Sequence, residues 1–374
     1  MTIPPRGKSA TTPALVHVER AIGDLRRGLP VVVTNGNEGI LAFAAELASD
    51  GALAKFRAIV SGTPALALTA KRAAVIHIPA MTGDGTLIKL AADMEAETIK
   101  ALADPVQDLD RPMMGPFRPS DMTMGPLATA AIQLCKHAQL LPAALIGAID
   151  AQGMAEFATT HDLLTVSARE IMDFSRQSAL ALIQTVGARV PLHGAEKSRI
   201  IAFRPENGST EHLAVVIGEP SRHEPVLARI HSECFTGDLL GSMKCDCGEQ
   251  LRGAIREIAS AGGGVLLYLA QEGRGIGLIN KLRAYRLQDQ GFDTVEANER
   301  LGFDADERLF LPAVEMLKSL GFASVRLMTN NPDKVKGLET CGIRVTERVA
   351  HKFPANNHNE FYLLTKKKRS GHYL

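Results

Sequence analysis

Apolar residues recur along the chain in short segments whose spacing predicts alternating helices and strands. Val18, Ala21, Ile22 and Leu25 follow the i, i+3, i+4, i+7 pattern of one helix face, and Gly28 suits the end of that helix. The same reasoning predicts further helices at 40–48, 87–101, 128–137 and 168–184, and strands at 30–34, 58–61 and 74–78. This alternation predicts an α/β domain that ends near residue 190.

The second half begins with a different pattern. After a polar linker at 191–198, strands are predicted at 199–203, 212–218 and 226–232, and the first two are joined by a turn that favours antiparallel pairing. A helix at 249–260 and strands at 265–269 and 325–328 follow. We therefore predict an α/β (α+β) chain of two domains, residues 1–190 and 191–374, with a mixed sheet and flanking helices in the second.

Composition narrows the functional classes. The 374 residues are 45% hydrophobic and carry a formal net charge of +1, so the chain lacks the basic excess of a general nucleic-acid binder. The longest apolar run, 140–149, is too short to span a bilayer, and no signal peptide is evident. Five cysteines, an odd number, argue against a disulfide framework. We expect a cytoplasmic protein that binds neither nucleic acid nor membrane.

Three of the cysteines lie in one short segment of the second half. Cys234, Cys245 and Cys247 have the spacing C-x10-C-x-C, which lets them converge on one tetrahedral ion. No fourth Cys or His lies at a natural ligand spacing, and a zinc site with three protein ligands keeps a position for an activated water. The alternative, ordinary reduced thiols in an apolar core, fits poorly with their polar neighbours. We predict an open zinc site.

Two buried strands of the second half lead into turns suited to binding anions. The strand at 265–269 is followed by alternate glycines around Arg274, which offer backbone N–H groups to a phosphate. A dinucleotide-binding turn is the alternative, but it requires a G-x-G-x-x-G spacing that this segment lacks. After the strand at 325–328, Thr329, Asn330 and Lys334 form a second candidate contact for an anion or a base.

Charged residues cluster between these two turns. Asp306 and Arg308 are two residues apart, so on an extended segment they would face the same way. A carboxylate beside a guanidinium suits proton transfer and phosphate chemistry, although a surface ion pair is the alternative. The predicted helix at 278–288 carries Lys281 and Arg283, which either contribute charge to an anionic ligand or lie on a solvated face.

The first half resembles the 3,4-dihydroxy-2-butanone-4-phosphate synthase domain that is often fused ahead of GTP cyclohydrolase II. Its first helix, the Arg-Arg-Gly at 26–28 and the strand at 30–34 match the opening of that domain. The acidic metal-binding loop of the synthase is replaced by Thr-Asn-Gly-Asn-Glu-Gly at 34–39, and its Gly-His-Thr-Glu signature has no counterpart before the helix at 128. Without clustered carboxylates little remains to hold a divalent cation. We predict a synthase-like scaffold without catalysis, in a structural or dimerising role.

The second half resembles GTP cyclohydrolase II from about residue 199 onward. The motifs, in the order of that family, lie at 229–238, 244–248, 271–278, 293–298, 306–308 and 329–332. The resemblance makes the three cysteines zinc ligands, Asp306 the proton acceptor and Arg308 the nucleophile toward the α-phosphate, with Tyr285 near the reacting centre. It assigns GTP contacts to Arg229, Ile230, His231, Ser232, Glu233, Gln250, Glu272, Gly273, Arg274, Thr294, Thr329 and Lys334.

This resemblance implies hydrolysis of GTP to 2,5-diamino-6-ribosylamino-4(3H)-pyrimidinone 5′-phosphate, formate and pyrophosphate, the first step of riboflavin biosynthesis. It implies one Zn2+ per subunit, Mg2+ on the substrate phosphates and a homodimer. Because arginine stays protonated, Arg308 as a purely charge-stabilising group remains open. Ala270 replaces an arginine that many family members have. If that arginine helps to bind the triphosphate, the alternatives are lower affinity, substitution by another basic residue, which the first half could supply, or action on a related purine nucleotide. The alternatives are a bifunctional enzyme that also makes 3,4-dihydroxy-2-butanone 4-phosphate and a non-catalytic nucleotide-binding homologue.

Overall fold

The computed structural model describes residues 13–112, 114–150 and 153–353, which form two compact units. The first unit contains residues 13–174 and 279–307, and the second contains residues 175–278 and 308–353. The chain thus leaves the first unit, enters the second, returns for two helices and leaves again. The two domains predicted from the sequence divide at residue 190, and their functional assignment stays a prediction.

The described residues include thirteen strands. They are β1 Val31–Asn35, β2 Glu38–Ala44, β3 Ser61–Thr69, β4 Gly85–Lys89, β5 Ala143–Ala148, β6 Thr165–Ser167, β7 Leu182–Arg189, β8 Ser198–Pro205, β9 His212–Gly218, β10 Val226–Ser232, β11 Gly263–Leu269, β12 Ser324–Met328 and β13 Arg344–Val349. The first six form one sheet, in the order β4-β3-β5-β2-β1-β6, and the other seven form a second sheet.

Twelve α-helices complete the described part of the chain. They are α1 Pro13–Arg26, α2 Asp50–Ile59, α3 Ala70–Val75, α4 Ala96–Ala103, α5 Pro126–His137, α6 Met154–Thr160, α7 Ala168–Leu180, α8 Cys247–Ser260, α9 Leu278–Asp289, α10 Thr294–Arg300, α11 Leu311–Leu320 and α12 Pro332–Thr340. Helices combined with two mixed sheets, each with parallel and antiparallel strand pairs, confirm the predicted α/β (α+β) class. None of these helices is long and apolar enough to cross a bilayer.

Several elements predicted for the first unit are wrong. The segment 40–48, predicted as a helix, is mostly strand β2, whose last six residues are all buried. A segment buried on every side has no apolar periodicity, so its spacing cannot separate a strand from a helix. The predicted strand at 74–78 begins inside α3, which starts where Thr69 Oγ1 accepts a hydrogen bond from Arg72 N. The predicted strand at 58–61 begins with the last two residues of α2. The predicted helix at 87–101 instead contains the end of β4 and then most of α4.

The second sheet explains where the predicted site residues meet. Its order is β13-β12-β10-β11-β9-β8-β7, and β10, β11 and β12 run parallel at its centre. Their buried residues, such as Ile230, Leu267 and Val325, form one apolar core with α11, and α8 packs on the opposite face. Because parallel strands end at the same edge of a sheet, the loops that follow them converge there, as in other α/β sheets that bind ligands.

Candidate active site

Three loops of the second unit converge at the carboxyl ends of β10, β11 and β12. The loop after β10 contacts the loop after β11, since Phe235 N donates to Glu272 Oε2 over 2.6 Å. Strand β10 also contacts the β12 side, where Lys334 Nζ donates to the carbonyl of Ile230 over 2.8 Å and Arg229 Nη1 donates to the carbonyl of Met328 over 2.9 Å. The structure therefore brings together three motifs that are distant in sequence.

The three cysteines form a compact cluster. Their sulfur atoms all lie within 4.8 Å of one another, and Cys234 Sγ is 3.8 Å from Cys245 Sγ. Cys234 precedes a π-helical turn, Phe235–Leu239, and Cys247 begins α8. Gly237 faces the cluster so closely that a Cβ there would lie 2.8 Å from Cys245 Sγ and 3.0 Å from Cys234 Sγ. Soft sulfur donors at these distances fit one Zn2+ ion.

The thiols act on one another electrostatically. The hydrogen bond with Cys234 is the largest cause that raises the pKa of Cys245 to about 11, and burial adds to it. Contacts with the other two cysteines likewise raise the pKa of Cys247 well above its ordinary value. A bound cation removes this mutual repulsion, since metal ligation requires the deprotonated thiolate.

Asp238 holds the first cysteine in place. One carboxylate oxygen accepts hydrogen bonds from Cys234 N and from Tyr268 Oη, both at 3.0 Å. His231 Nε2 donates to the same carboxylate at 3.0 Å, and its ring stacks on Tyr268 with centroids 5.6 Å apart. Burial lowers the pKa of His231, so the ring is neutral with its proton on Nε2. Its Nδ1 atom is buried without a hydrogen-bond partner among the described residues.

A second polar chain runs behind the cysteines. Arg229 Nη2 donates to Gln250 Oε1, and Gln250 Nε2 donates to Asp246, the residue between two of the cysteines. Burial lowers the pKa of Arg229 to about 10, which leaves the guanidinium protonated at neutral pH. Arg229 and Gln250 were predicted as GTP contacts, which stays a prediction, and in this structure they are linked by hydrogen bonds to Asp246 in the cysteine loop.

The turn after β11 has an unusual backbone. Gly273 and Arg274 both have φ of 62°, which glycine adopts freely and arginine adopts only under local strain. Glu272 stabilises the turn, because its two carboxylate oxygens accept from Phe235 N and from Gly273 N. The predicted glycine-rich turn is therefore formed, with Arg274 in a left-handed backbone conformation, and its binding of an anion stays a prediction.

The remaining predicted residues divide between the two units. Ser232, Glu233, Thr329 and Arg308 lie in the second unit, where Arg308 Nη1 is 3.5 Å from Ser232 Oγ. Tyr285, Thr294 and Asp306 lie in the first unit. Thr294 is the first residue of α10 and accepts from Gln288 Nε2 at 3.1 Å, Tyr285 lies on α9 beneath Lys281, and Asp306 is exposed in the loop after α10.

Arg283 on helix α9 fits neither of the two roles predicted for it. Arg283 is largely buried and forms ion pairs with Glu46 at 2.8 Å and Asp104 at 3.1 Å, both in the first half of the chain. It is therefore neither a solvated residue nor one left free for an anionic ligand. Its carboxylate partners precede it by 237 and 179 residues, so spacing within the helix gave no sign of them.

Asp238 and Tyr268 organise the cysteine loop, and the sequence predicted no role for either residue. Asp238 lies four residues after Cys234, within the stretch that contains the metal motif. Because motif spacing reports candidate ligands and not the groups that orient them, only the paired strands revealed this role: His231 is directly opposite Tyr268 in the β10–β11 register.

Comparison with known proteins agrees with this site. The family model of GTP cyclohydrolase II matches residues 184–350. GTP cyclohydrolase-2 of Azospirillum brasilense is 52% identical over 365 residues, which cover 96% of this chain and 94% of the relative. The riboflavin biosynthesis protein RibBA of Synechocystis is 38% identical over 96% of this chain and 71% of its own length. A crystal structure of RibBX, a two-domain 3,4-dihydroxy-2-butanone 4-phosphate synthase from A. baumannii, covers 89% of this chain and 99% of its own at 16% identity and a TM-score of 0.34, which supports no conclusion.

These relatives identify the chain first as an enzyme, a cyclohydrolase. The chain belongs to the GTP cyclohydrolase II family. The family predicted from the motifs of the second half is thus confirmed.

Proposed function

We propose that this enzyme hydrolyses GTP to 2,5-diamino-6-ribosylamino-4(3H)-pyrimidinone 5′-phosphate, formate and pyrophosphate, as the first step of riboflavin biosynthesis. The observation that carries the proposal is the convergence of three thiols with the loops after β11 and β12 at one edge of the second sheet. The match to GTP cyclohydrolase-2 over nearly the whole of both chains supports it.

Cys234, Cys245 and Cys247 would hold zinc, because three sulfur donors within 4.8 Å of one another, two buried and one half-buried, match its preference for thiolates. When bound, zinc supplies the Lewis acidity that makes water nucleophilic at neutral pH. Two such hydrolytic events are needed, one to open the imidazole ring of guanine at C8 and one to release formate.

The chain's own residues bind and orient the substrate. Lys334, Arg274 and Arg308 supply positive charge for the triphosphate with Mg2+, and such charge stabilises departing pyrophosphate. Arg308 stabilises charge at phosphorus or attacks it, and its constant protonation favours stabilisation. Asp306 accepts a proton.

Guanine recognition requires a carboxylate that accepts from N1–H and the 2-amino group. Glu272 is buried, and both its oxygens already accept backbone N–H groups. Glu233, at the end of β10, is more exposed. Glu233 is therefore the better candidate for the base. The neutral His231, two residues before Glu233 and with its Nδ1 unpaired among the described residues, offers a further acceptor.

The first unit is proposed to be non-catalytic. Among its described residues no three His, Cys, Asp or Glu side chains converge as a metal site, and Glu38 is exposed. The relatives named RibBA keep a second candidate open, a bifunctional enzyme that also makes 3,4-dihydroxy-2-butanone 4-phosphate. Formation of that product from ribulose 5-phosphate by the purified protein would establish it. A cytoplasmic homodimer completes the proposal.

The decisive experiment measures formate and pyrophosphate released from GTP with Mg2+, together with zinc per chain. The wild type should contain one zinc and release both products, and chelation should abolish formate release. Cys245→Ser should lose zinc and lower formate release by more than about 100-fold, since even groups that only orient ligands contribute 10- to 100-fold. Cys341→Ser, a half-buried thiol outside the cluster, is the matched control and should keep both zinc and activity. A zinc-free wild type that releases formate would refute the proposal.

A further inference from the structure

The segment 302–307, which contains Asp306, is held by two lysines of the first half of the chain. Lys136 Nζ on α5 lies 2.6 Å from Glu307 Oε1 and 3.6 Å from Asp304 Oδ2. Lys71 Nζ on α3 lies 2.7 Å from Asp304 Oδ1. The side chains of Lys136 and Glu307 are only 15% and 19% exposed, against 35% and 61% for Lys71 and Asp304. The Lys136–Glu307 pair is thus less screened by solvent and contributes more.

Backbone and apolar contacts fix the same segment. Glu307 Oε1 also accepts from Asp304 N at 2.8 Å, which closes the loop on itself. Phe303 is buried beneath the Lys136 ammonium, 6.0 Å from its ring centroid. Gly302 has φ of 87°, and a Cβ there would lie 2.8 Å from Thr69 Oγ1. The segment therefore lies directly against the first half at its start and is tied to it by an ion pair at its end.

Glu307 lies between the two residues predicted to perform chemistry, Asp306 and Arg308. An ion pair that holds Glu307 restrains the neighbouring residue Asp306 in the same unit. Asp306 itself is exposed, although its neighbours Phe303 and Glu307 are held. An exposed functional group on a constrained backbone is what precise action on a substrate requires.

We propose that Lys136 and Glu307 are positioning residues for Asp306, through which the first half of the chain takes part in GTP hydrolysis. This inference rests on the proposed role of Asp306 as proton acceptor. It gives a role to the first half, whose described residues form no three-residue metal-binding cluster: helix α5 supplies a lysine that lies 171 residues before Glu307.

The test compares three full-length variants with the zinc-loaded wild type. Lys136→Met should lower kcat for formate release by about 10- to 100-fold, since misplacement by about 1 Å costs that much. The KM for GTP and the zinc content should stay near the wild-type values, a division that general loss of structure would not produce. Lys136→Arg keeps the charge and should retain most of the turnover. Lys89→Met removes a more exposed pair with Asp121 in the same half and should leave kcat unchanged.

Three outcomes would overturn the inference. One is an unchanged kcat in Lys136→Met, and another is an equal loss in Lys89→Met. The third is a loss of kcat in proportion to a loss of zinc. Failure of the proposed function is distinguishable, because the wild type itself would then release no formate. An active Asp306→Asn variant would refute the role of Asp306 separately.

Discussion

The cysteine loop and the Asp306 segment are constrained in different ways. Around the cysteines, Asp238 binds Cys234 and His231, and Gln250 links Asp246 to Arg229, so each partner lies within 21 residues of the other. The segment 302–307 instead depends on lysines that precede their carboxylate partners by 171 and 233 residues. The cysteine ligands of the local network could be predicted from their spacing, whereas the distant anchors of the segment 302–307 leave no trace in a sequence motif. A motif can therefore be complete in a chain that has lost the means to orient it.

Breaking the local network should have the largest effect on the metal site. Asp238→Asn removes the negative charge that accepts from His231, Tyr268 and the Cys234 backbone. Zinc affinity should fall about 10- to 100-fold, the range seen when groups that orient metal ligands are changed. Competition with a chromophoric chelator measures this directly.

The control for that change is Glu315→Gln, which alters a pair with the exposed Lys318 on α11 of the same unit. Its zinc affinity should equal that of the wild type. Equal affinity in Asp238→Asn would show that the three thiols define the site without support from the carboxylate.

Loosening the distant anchor through the backbone should have an intermediate effect. Gly302→Ala places a methyl group 2.8 Å from Thr69 Oγ1 and 2.9 Å from Pro142 Cγ, in a left-handed residue. Overpacking and strain together should cost about 2–4 kcal/mol of unfolding free energy, measured by urea denaturation.

Gly291→Ala separates backbone strain from overpacking. Gly291 has φ of 101° with no atom within 4 Å of the added Cβ, so this variant has the strain without the clash. The difference between the variants isolates the close approach of the loop to the first half. Equal destabilisation would show that this approach is not a tight contact.

Acid should lower the free energy of unfolding of both units, and each histidine should contribute the smallest of the three effects. Burial lowers the pKa of His137 in the first unit and of His212 in the second to about 4. Because the unfolded chain binds these protons near pH 6.5, the stabilisation is present above that pH and is lost as pH falls toward 4. Between pH 7 and pH 5 each histidine should account for about 2 kcal/mol. His137→Asn should show a smaller difference in urea midpoint between these pH values than the wild type, and an equal difference would exclude His137 as a source.

The outcome for particular residues shows what a sequence can reveal. The spacing of Cys234, Cys245 and Cys247 indicated a cluster because their geometry is largely local. Strand β2 was mistaken for a helix because burial on all sides erases periodicity. Arg283 was misjudged because its carboxylate partners come from elements far along the chain. The roles of Asp238 and Lys136 required strand register and helix packing, which no spacing encodes.

The discontinuous first unit imposes an order on synthesis at the ribosome. Glu46 and Asp104 are made early, but Arg283, which neutralises them, follows 237 and 179 residues later. In the nascent chain these two carboxylates therefore lack their arginine partner until the cysteine loop and α9 have been translated. A fragment that ends at residue 190 would keep the surface built for α9 and α10 permanently open to water. Such a fragment is a poor substitute for the first unit in any expression experiment.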